Sequence, residues 1–170
     1  TITYITDNAQ RIYQWNYARD REQLVTLYNK AMSSQWNSVT ELDWSTDVDP
    51  EELIRTSPQT NLTVELARAA AEVPGSPLAK WGEKEFLQLG IESTKAMLSQ
   101  FMHGEQGALL CTARIVETVP WIDAKYYAAT QVMDEARHVE VFAKYLDEKL
   151  SGHYPINAHL GLLLDDILKD

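Results

Sequence analysis

The apolar positions of this chain recur at helical spacing over most of its length. From Asp20, residues Leu24, Leu27, Tyr28, Ala31 and Trp36 predict a helix of about four turns. Residues 38–49 form a polar connection interrupted by Leu42 and Trp44. Asp49-Pro50-Glu51-Glu52 has the form of a helix start, with an N-cap, a proline at the first position and a glutamate three after the cap. That short helix should stop near Ser57-Pro58. A second runs through Leu62, Val64, Leu66 and Ala70 to Pro74-Gly75-Ser76-Pro77. Two long helices follow. The first is expected from about Lys80 to Thr118, on the order of 55 Å at the helical rise, with no proline inside it. The second is expected from Pro120, with Thr118 as its candidate cap, to Leu150. Ser151-Gly152 ends it, and Lys149 suits the negative end of its dipole. So short a connection makes the two an antiparallel hairpin. A further helix begins in 156–168. Residues 1–18, with Tyr4, Tyr13, Trp15 and Tyr17 at no clean period, read as an arm packed on the body. The expected fold is all-α, one helical domain over 1–170.

Both long helices carry acids on their apolar stripes. Glu135 and His138 are three residues apart and share a face with Ala128, Val132, Val139, Phe142 and Leu146. Glu105 sits among Leu98, Phe101, Met102, Ala108, Leu109 and Thr112. Ionisable groups on a buried stripe are costly unless something compensates their charge, and Glu with His suits iron or manganese. With the turn near Val119-Pro120, Glu105 lies about fourteen residues before it and Glu135 about fifteen after, so the two carboxylates should sit at one height.

Composition narrows the classes. The 170 residues are 45% apolar and 24% charged, enough for a real core. A net charge of −10 argues against nucleic acid, which needs a basic patch. No apolar run is long enough to span a membrane, and Thr1-Ile-Thr-Tyr-Ile-Thr6 lacks the features of a secretion signal. The single cysteine, Cys111, forms no internal disulfide and reads as a small core residue, so a cytoplasmic location is expected. No Ser-His-Asp arrangement, phosphate loop or Cys-x-x-Cys pair appears.

Glu105 together with Glu135-Ala-Arg-His138 resembles the ferritin-like di-iron carboxylate superfamily. Its four-helix bundle takes one Glu from each of two helices and a Glu-x-x-His from each of the other two. The string Asp134-Glu-Ala-Arg-His138, after Ala128-Ala-Thr-Gln-Val-Met133, is most similar to the hydroxylase subunit of bacterial multicomponent monooxygenases. The resemblance covers roughly Leu98 to Leu146. It implies that Glu105, Glu135 and His138 are catalytic and ligate two iron ions (manganese is the alternative), Glu135 bridging them. It also implies Asp134 and Arg137 as outer residues pairing with partners on another helix pair, and Phe101, Ala108, Leu109 and Thr112 as lining a pocket for oxygen and substrate. The residue one turn after His138 is Phe142, where ribonucleotide reductase small subunits usually have a tyrosine, and the first ligand is Glu rather than Asp. Both departures favour an oxygenase over a radical generator. The expected function is therefore an oxygen-activating oxidoreductase, a monooxygenase or oxidase of a small organic substrate, fed by an electron-donor protein.

The second Glu and second Glu-x-x-His are missing, since Asp165 and Asp166 have no His three residues on. The chain thus resembles the N-terminal half of the bundle. Either a further piece follows the pattern that breaks off at Asp170, or a second copy supplies the other half. The second arrangement is the alternative reading, an iron-binding or storage protein of ferritin-like type assembled from two half-bundles. A third reading is a metal-free interaction module in which Glu135 and His138 form a structural network with Arg137. Glu140 and Lys144 are expected as a surface pair, His103, His153 and His159 as non-ligands, and the tryptophans as seals between helices.

Overall fold

In the computed structural model, residues 4, 10–56 and 58–169 are described. Among them are six helices and no strand: α1 Glu22–Ser33, α2 Pro50–Thr56, α3 Pro58–Ala71, α4 Glu83–Thr118, α5 Ile122–Leu150 and α6 Ala158–Lys169. The chain is all-helical. No helix among the described residues is long and apolar enough to cross a membrane. The chain forms two compact units, one of residues 1–42, 101–141 and 156–170, the other of 43–100 and 142–155; α4 and α5 contribute to both.

The second unit is built on Ile54, Val64, Phe86 and Leu87, with Ala67, Ala71 and Ile91 packed against them. Asp49 caps α2 as expected: its carboxylate accepts the N–H groups of Glu51 at 2.9 Å and Glu52 at 3.3 Å. Gly90 of α4 lets α2 and α3 approach closely, since a Cβ there would lie 2.6 Å from Ile54 and 3.1 Å from Val64. α4 begins at Glu83 rather than Lys80. The Glu85 carboxylate accepts the N–H of Gly82 at 2.8 Å, closing the first turn as the returning half of a capping box. At the far end of α5, Ser151 adopts a φ of 60° and Gly152 one of 110°, and the N–H of Gly152 returns to the Leu146 carbonyl at 2.9 Å.

The first unit holds the turn between the long helices. α5 begins at Ile122, two residues later than Pro120. Thr118 does not cap it, because its hydroxyl donates back to the Arg114 carbonyl at 2.9 Å and belongs to α4. Lys125 closes the turn, its ammonium donating to the carbonyls of Val116 at 2.7 Å and Glu117 at 3.3 Å, which α4 leaves unpaired at its C-terminus. The arm packs on this turn over its described part. Ile12 N–H bonds the Glu117 carbonyl at 2.8 Å, Arg11 pairs with the Glu117 carboxylate at 3.1 Å, and the Gln14 amide donates to the Pro120 carbonyl at 2.9 Å. Buried Asp123 takes the Arg19 guanidinium and, at 3.2 Å, the Arg21 N–H. These hold its carboxyl below the usual range against the opposing effect of burial, the largest single influence on it.

Asn157 caps α6, its side chain accepting the Leu160 N–H at 2.8 Å, and near the other end Arg114 of α4 donates to the Leu168 carbonyl. It seats on α4 at Gly107, where a Cβ would lie 2.3 Å from Cδ2, 2.9 Å from Cδ1 and 3.1 Å from Cγ of Leu164. Relieving all three contacts requires Leu164 to change χ1 and leave its seat, or α6 to shift. Gly107→Ala should therefore lower stability by about 1–3 kcal/mol. Gly104→Ala, where a Cβ meets open space, should be neutral or gain about 0.5–1 kcal/mol. Urea unfolding of the two variants tests this contrast, and equal effects would contradict the seating of α6.

Candidate metal centre

Glu105 leaves α4 thirteen residues before its end, and Glu135 leaves α5 thirteen residues after its start. At equal rise the antiparallel pair brings them to one level, as their spacing from the turn predicts. The imidazole of His138, one turn beyond Glu135, lies between them. Its Nδ1 is 3.1 Å from Oε2 of Glu135 and 3.4 Å from Oε2 of Glu105. One ligand atom from each of the three residues lies within 4.8 Å of the other two. The expected trio is brought together.

Its surroundings differ from the expectation of a fully buried stripe. Side-chain exposure is 18% for Glu135, 29% for Glu105 and 45% for His138. The gradient is geometric. Glu135 points most directly at α4, whereas His138 is turned about 60° further round α5 and reaches its partners along the edge of the helix pair. Burial pushes the Glu135 carboxyl above its ordinary value, and Glu105 reinforces this as a hydrogen-bonded and like-charged neighbour; His138 opposes both. Two acids share a half-buried place and one cannot ionise freely there. Such a site has a use for a cation.

The residues assigned to a pocket lie along one stretch of α4. Phe101 is 53% exposed, and Ala108, Leu109 and Thr112 are half-buried along the same stretch of α4, with the Thr112 hydroxyl donating to the Ala108 carbonyl at 2.8 Å. Asp134 and Arg137 pair with each other at 2.8 Å. Arg137 is turned away from the trio, so the structural network joining it to Glu135 and His138 is not formed. Its guanidinium instead meets Gln35 and lies 4.9 Å from the centre of the Trp36 ring.

Further positions depart from the sequence pattern or leave no mark in it. Glu140 accepts a hydrogen bond from Ser38 and is not paired with Lys144, which reaches Glu148 at 3.2 Å and lies over the Trp44 ring. Gln35 and Ser38 carry no periodic signal. The one available signal is Arg137 itself, since an arginine so close to a buried stripe needs acceptors. Cys111 is half-buried rather than fully in the core, and burial raises its thiol pKa. His153 contacts Asp147 at 3.3 Å. Trp81 meets Phe86 edge-on at 5.7 Å, and Arg21 stacks 3.8 Å from the centre of the Trp121 ring, but both indoles stay exposed and neither is a buried seal between helices.

No protein-family model, curated protein or solved structure matches the chain.

The raised Glu135 pKa has a consequence for the metal-free protein. An acid whose folded pKa lies above its unfolded value binds an extra proton in the folded state, so stability falls as pH rises from the ordinary glutamate range through the raised value. Glu135→Gln removes that liability. In the presence of a chelator the variant should unfold at or above the wild-type temperature at pH 7. The advantage should vanish as pH drops through the ordinary glutamate range. Thermal melts at several pH values test this, and a loss of stability that is the same at every pH would contradict it.

Proposed function

We propose that Glu105, Glu135 and His138 are half of a carboxylate-bridged metal centre, in an oxygen-activating di-iron oxidoreductase of monooxygenase or oxidase type with a ferritin-like fold. The observation that carries the reading is the meeting of two carboxylates and one imidazole nitrogen from facing helices within 4.8 Å. The donors fit the ion. Two anionic oxygens and a neutral nitrogen suit iron or manganese, whereas a zinc site of structural type would favour thiolates. The Nδ1 of His138 faces the carboxylates, so the imidazole presents a ring nitrogen toward both acids.

The roles of the side chains follow from their places. Glu135, the most buried of the three, would hold metal together with Glu105 and His138, the more exposed donors. A cation there would replace the hydrogen bonds the three now make and remove the repulsion that raises the Glu135 carboxyl. Bound iron would supply the redox equivalents for oxygen chemistry, which no side chain of the trio can provide. Phe101, Ala108, Leu109 and Thr112 would form one wall of the space beside it, the apolar side against which an organic substrate rests. An electron-donor protein would return the centre to its reduced state.

A second reading has one observation in its favour. His138 is 45% exposed and Phe101 is 53% exposed, so the trio is open to incoming ions as a storage or detoxification centre would be.

Metal content per chain, measured with molecular mass in solution after anaerobic loading with Fe(II) or Mn(II), tests the proposal. Wild type should retain metal. Glu105→Gln, Glu135→Gln and His138→Ala should each lose more affinity than the ~10–100-fold that removal of an outer partner costs. Iron-dependent oxygen uptake with an added reductant should disappear in the same variants. Iron taken up far beyond two ions per pair of chains would favour storage. A wild type that holds no metal, or variants that bind it as tightly, would overturn the metal reading.

A further inference from the structure

The turn of α5 that carries Glu135 and His138 is gripped from its other side. Arg137 leaves the helix about 160° round from Glu135, and Glu140 one turn further along the same side. Arg137 is only 7% exposed, and its guanidinium divides its donors between two acceptors. One nitrogen donates to Asp134 at 2.8 Å and another to the side-chain oxygen of Gln35, while the plane lies against Trp36. The same Gln35 amide donates its NH2 to the Ala31 carbonyl at 2.9 Å, which near the C-terminus of α1 also takes the Ser34 N–H at 3.2 Å. One amide thus joins the end of α1 to the middle of α5. Next along, buried Ser38 donates to Glu140.

We infer that Gln35 is a positioning residue for the metal centre, acting through Arg137. The physical case rests on direction. A helix in contact with its neighbour on one side only can rotate about its axis or slide along it by fractions of a turn. A rotation of ~20° moves a carboxylate at a radius of ~6 Å by about 2 Å, enough to separate a ligand from its ion when ligand distances must hold within ~0.2 Å. The grip at Gln35 lies on the side of α5 away from Glu135 and prevents that rotation. It needs an acceptor at position 35, and it needs a guanidinium, because a lysine ammonium lacks the fixed fork that serves two acceptors while stacking on an indole. The role rests on the trio being a metal site, but the geometry it controls exists without metal.

The test therefore reads the geometry first. In the metal-free protein, the nuclear Overhauser effect between the His138 ring and the Glu105 side-chain methylenes reports the approach of α5 to α4. Gln35→Leu should weaken that effect severalfold while leaving the fold intact by amide spectra. Gln35→Glu, which can still accept from Arg137, should restore it. Arg137→Lys should behave like Gln35→Leu. Loading with Co(II), followed by its visible absorption, should then show about tenfold weaker binding in Gln35→Leu and near-wild-type binding in Gln35→Glu. An unchanged His138–Glu105 Overhauser effect in Gln35→Leu would overturn the positioning role, whatever the metal result. Weakening in Gln35→Leu with recovery in Gln35→Glu, in a protein that binds no Co(II), would uphold positioning and sink the metal reading instead. If Gln35→Leu fails to fold, the Gln35→Glu and Arg137→Lys pair decides the matter by the same measurement.

Discussion

Two carboxylates from antiparallel helices, held at one height beside a single imidazole, set the terms for the rest of the first unit. Like charges repel, and a half-buried place weakens the water that would otherwise screen them. The chain does not separate them. It closes the turn below with Lys125 and ties the arm across it through Arg11, Gln14 and Arg19. It also grips α5 from behind through Arg137. Lys125 joins α5 to α4 directly, the arm holds Glu117 of α4 and Asp123 of α5 to one segment, and Gln35 holds α5 to the segment after α1. A helix pair that only needed to bury leucines would have no reason to keep an acid at this point on each side.

Much of this was legible in the sequence, for identifiable reasons. Helix boundaries were readable where a side chain performs the capping. Asp49 before Pro50 and Ser151-Gly152 after Leu150 are local signals, and the structure uses both locally. The matched level of Glu105 and Glu135 was also legible, because a short turn with a fixed rise per residue converts sequence distance into height. The misplaced starts have a common cause. Lys80 and Pro120 continue the apolar pattern, but Glu85 and Lys125 supply the hydrogen bonds that decide where each helix begins or its neighbour ends. Periodicity reports which face is apolar and is silent on which turn is capped.

The outer contacts of the trio were not legible, and this too has a physical reason. Asp134 and Arg137 stand next to Glu135 and His138 in sequence, which invites the idea that all four act on the same centre. On a helix, adjacent residues diverge by about 100°. Arg137 therefore faces a different neighbour, the segment after α1, about a hundred residues earlier in the chain. No local pattern marks Gln35 or Ser38, because a contact across that distance leaves no period. Likewise the Glu140–Lys144 spacing suits an ion pair, but Ser38 sits closer to Glu140 in the fold and takes it.

The exposure of the trio bears on what the centre can be. Three donors gathered on one side of an ion leave its other side to water, substrate or further protein ligands, since iron and manganese accept more ligands than three. A site meant only to hold a structural ion would be closed, with four protein donors and little access. Here the most buried donor is Glu135 and the most exposed is His138. That order keeps Glu135 in the least solvated place, where a cation would change its energy most. The same order would suit either a reactive centre with an apolar wall or an entry point for ions. The wall of Phe101, Ala108 and Leu109 separates them: an ion channel gains nothing from an apolar approach, whereas an organic substrate does. For this reason the oxygenase reading stands ahead of storage.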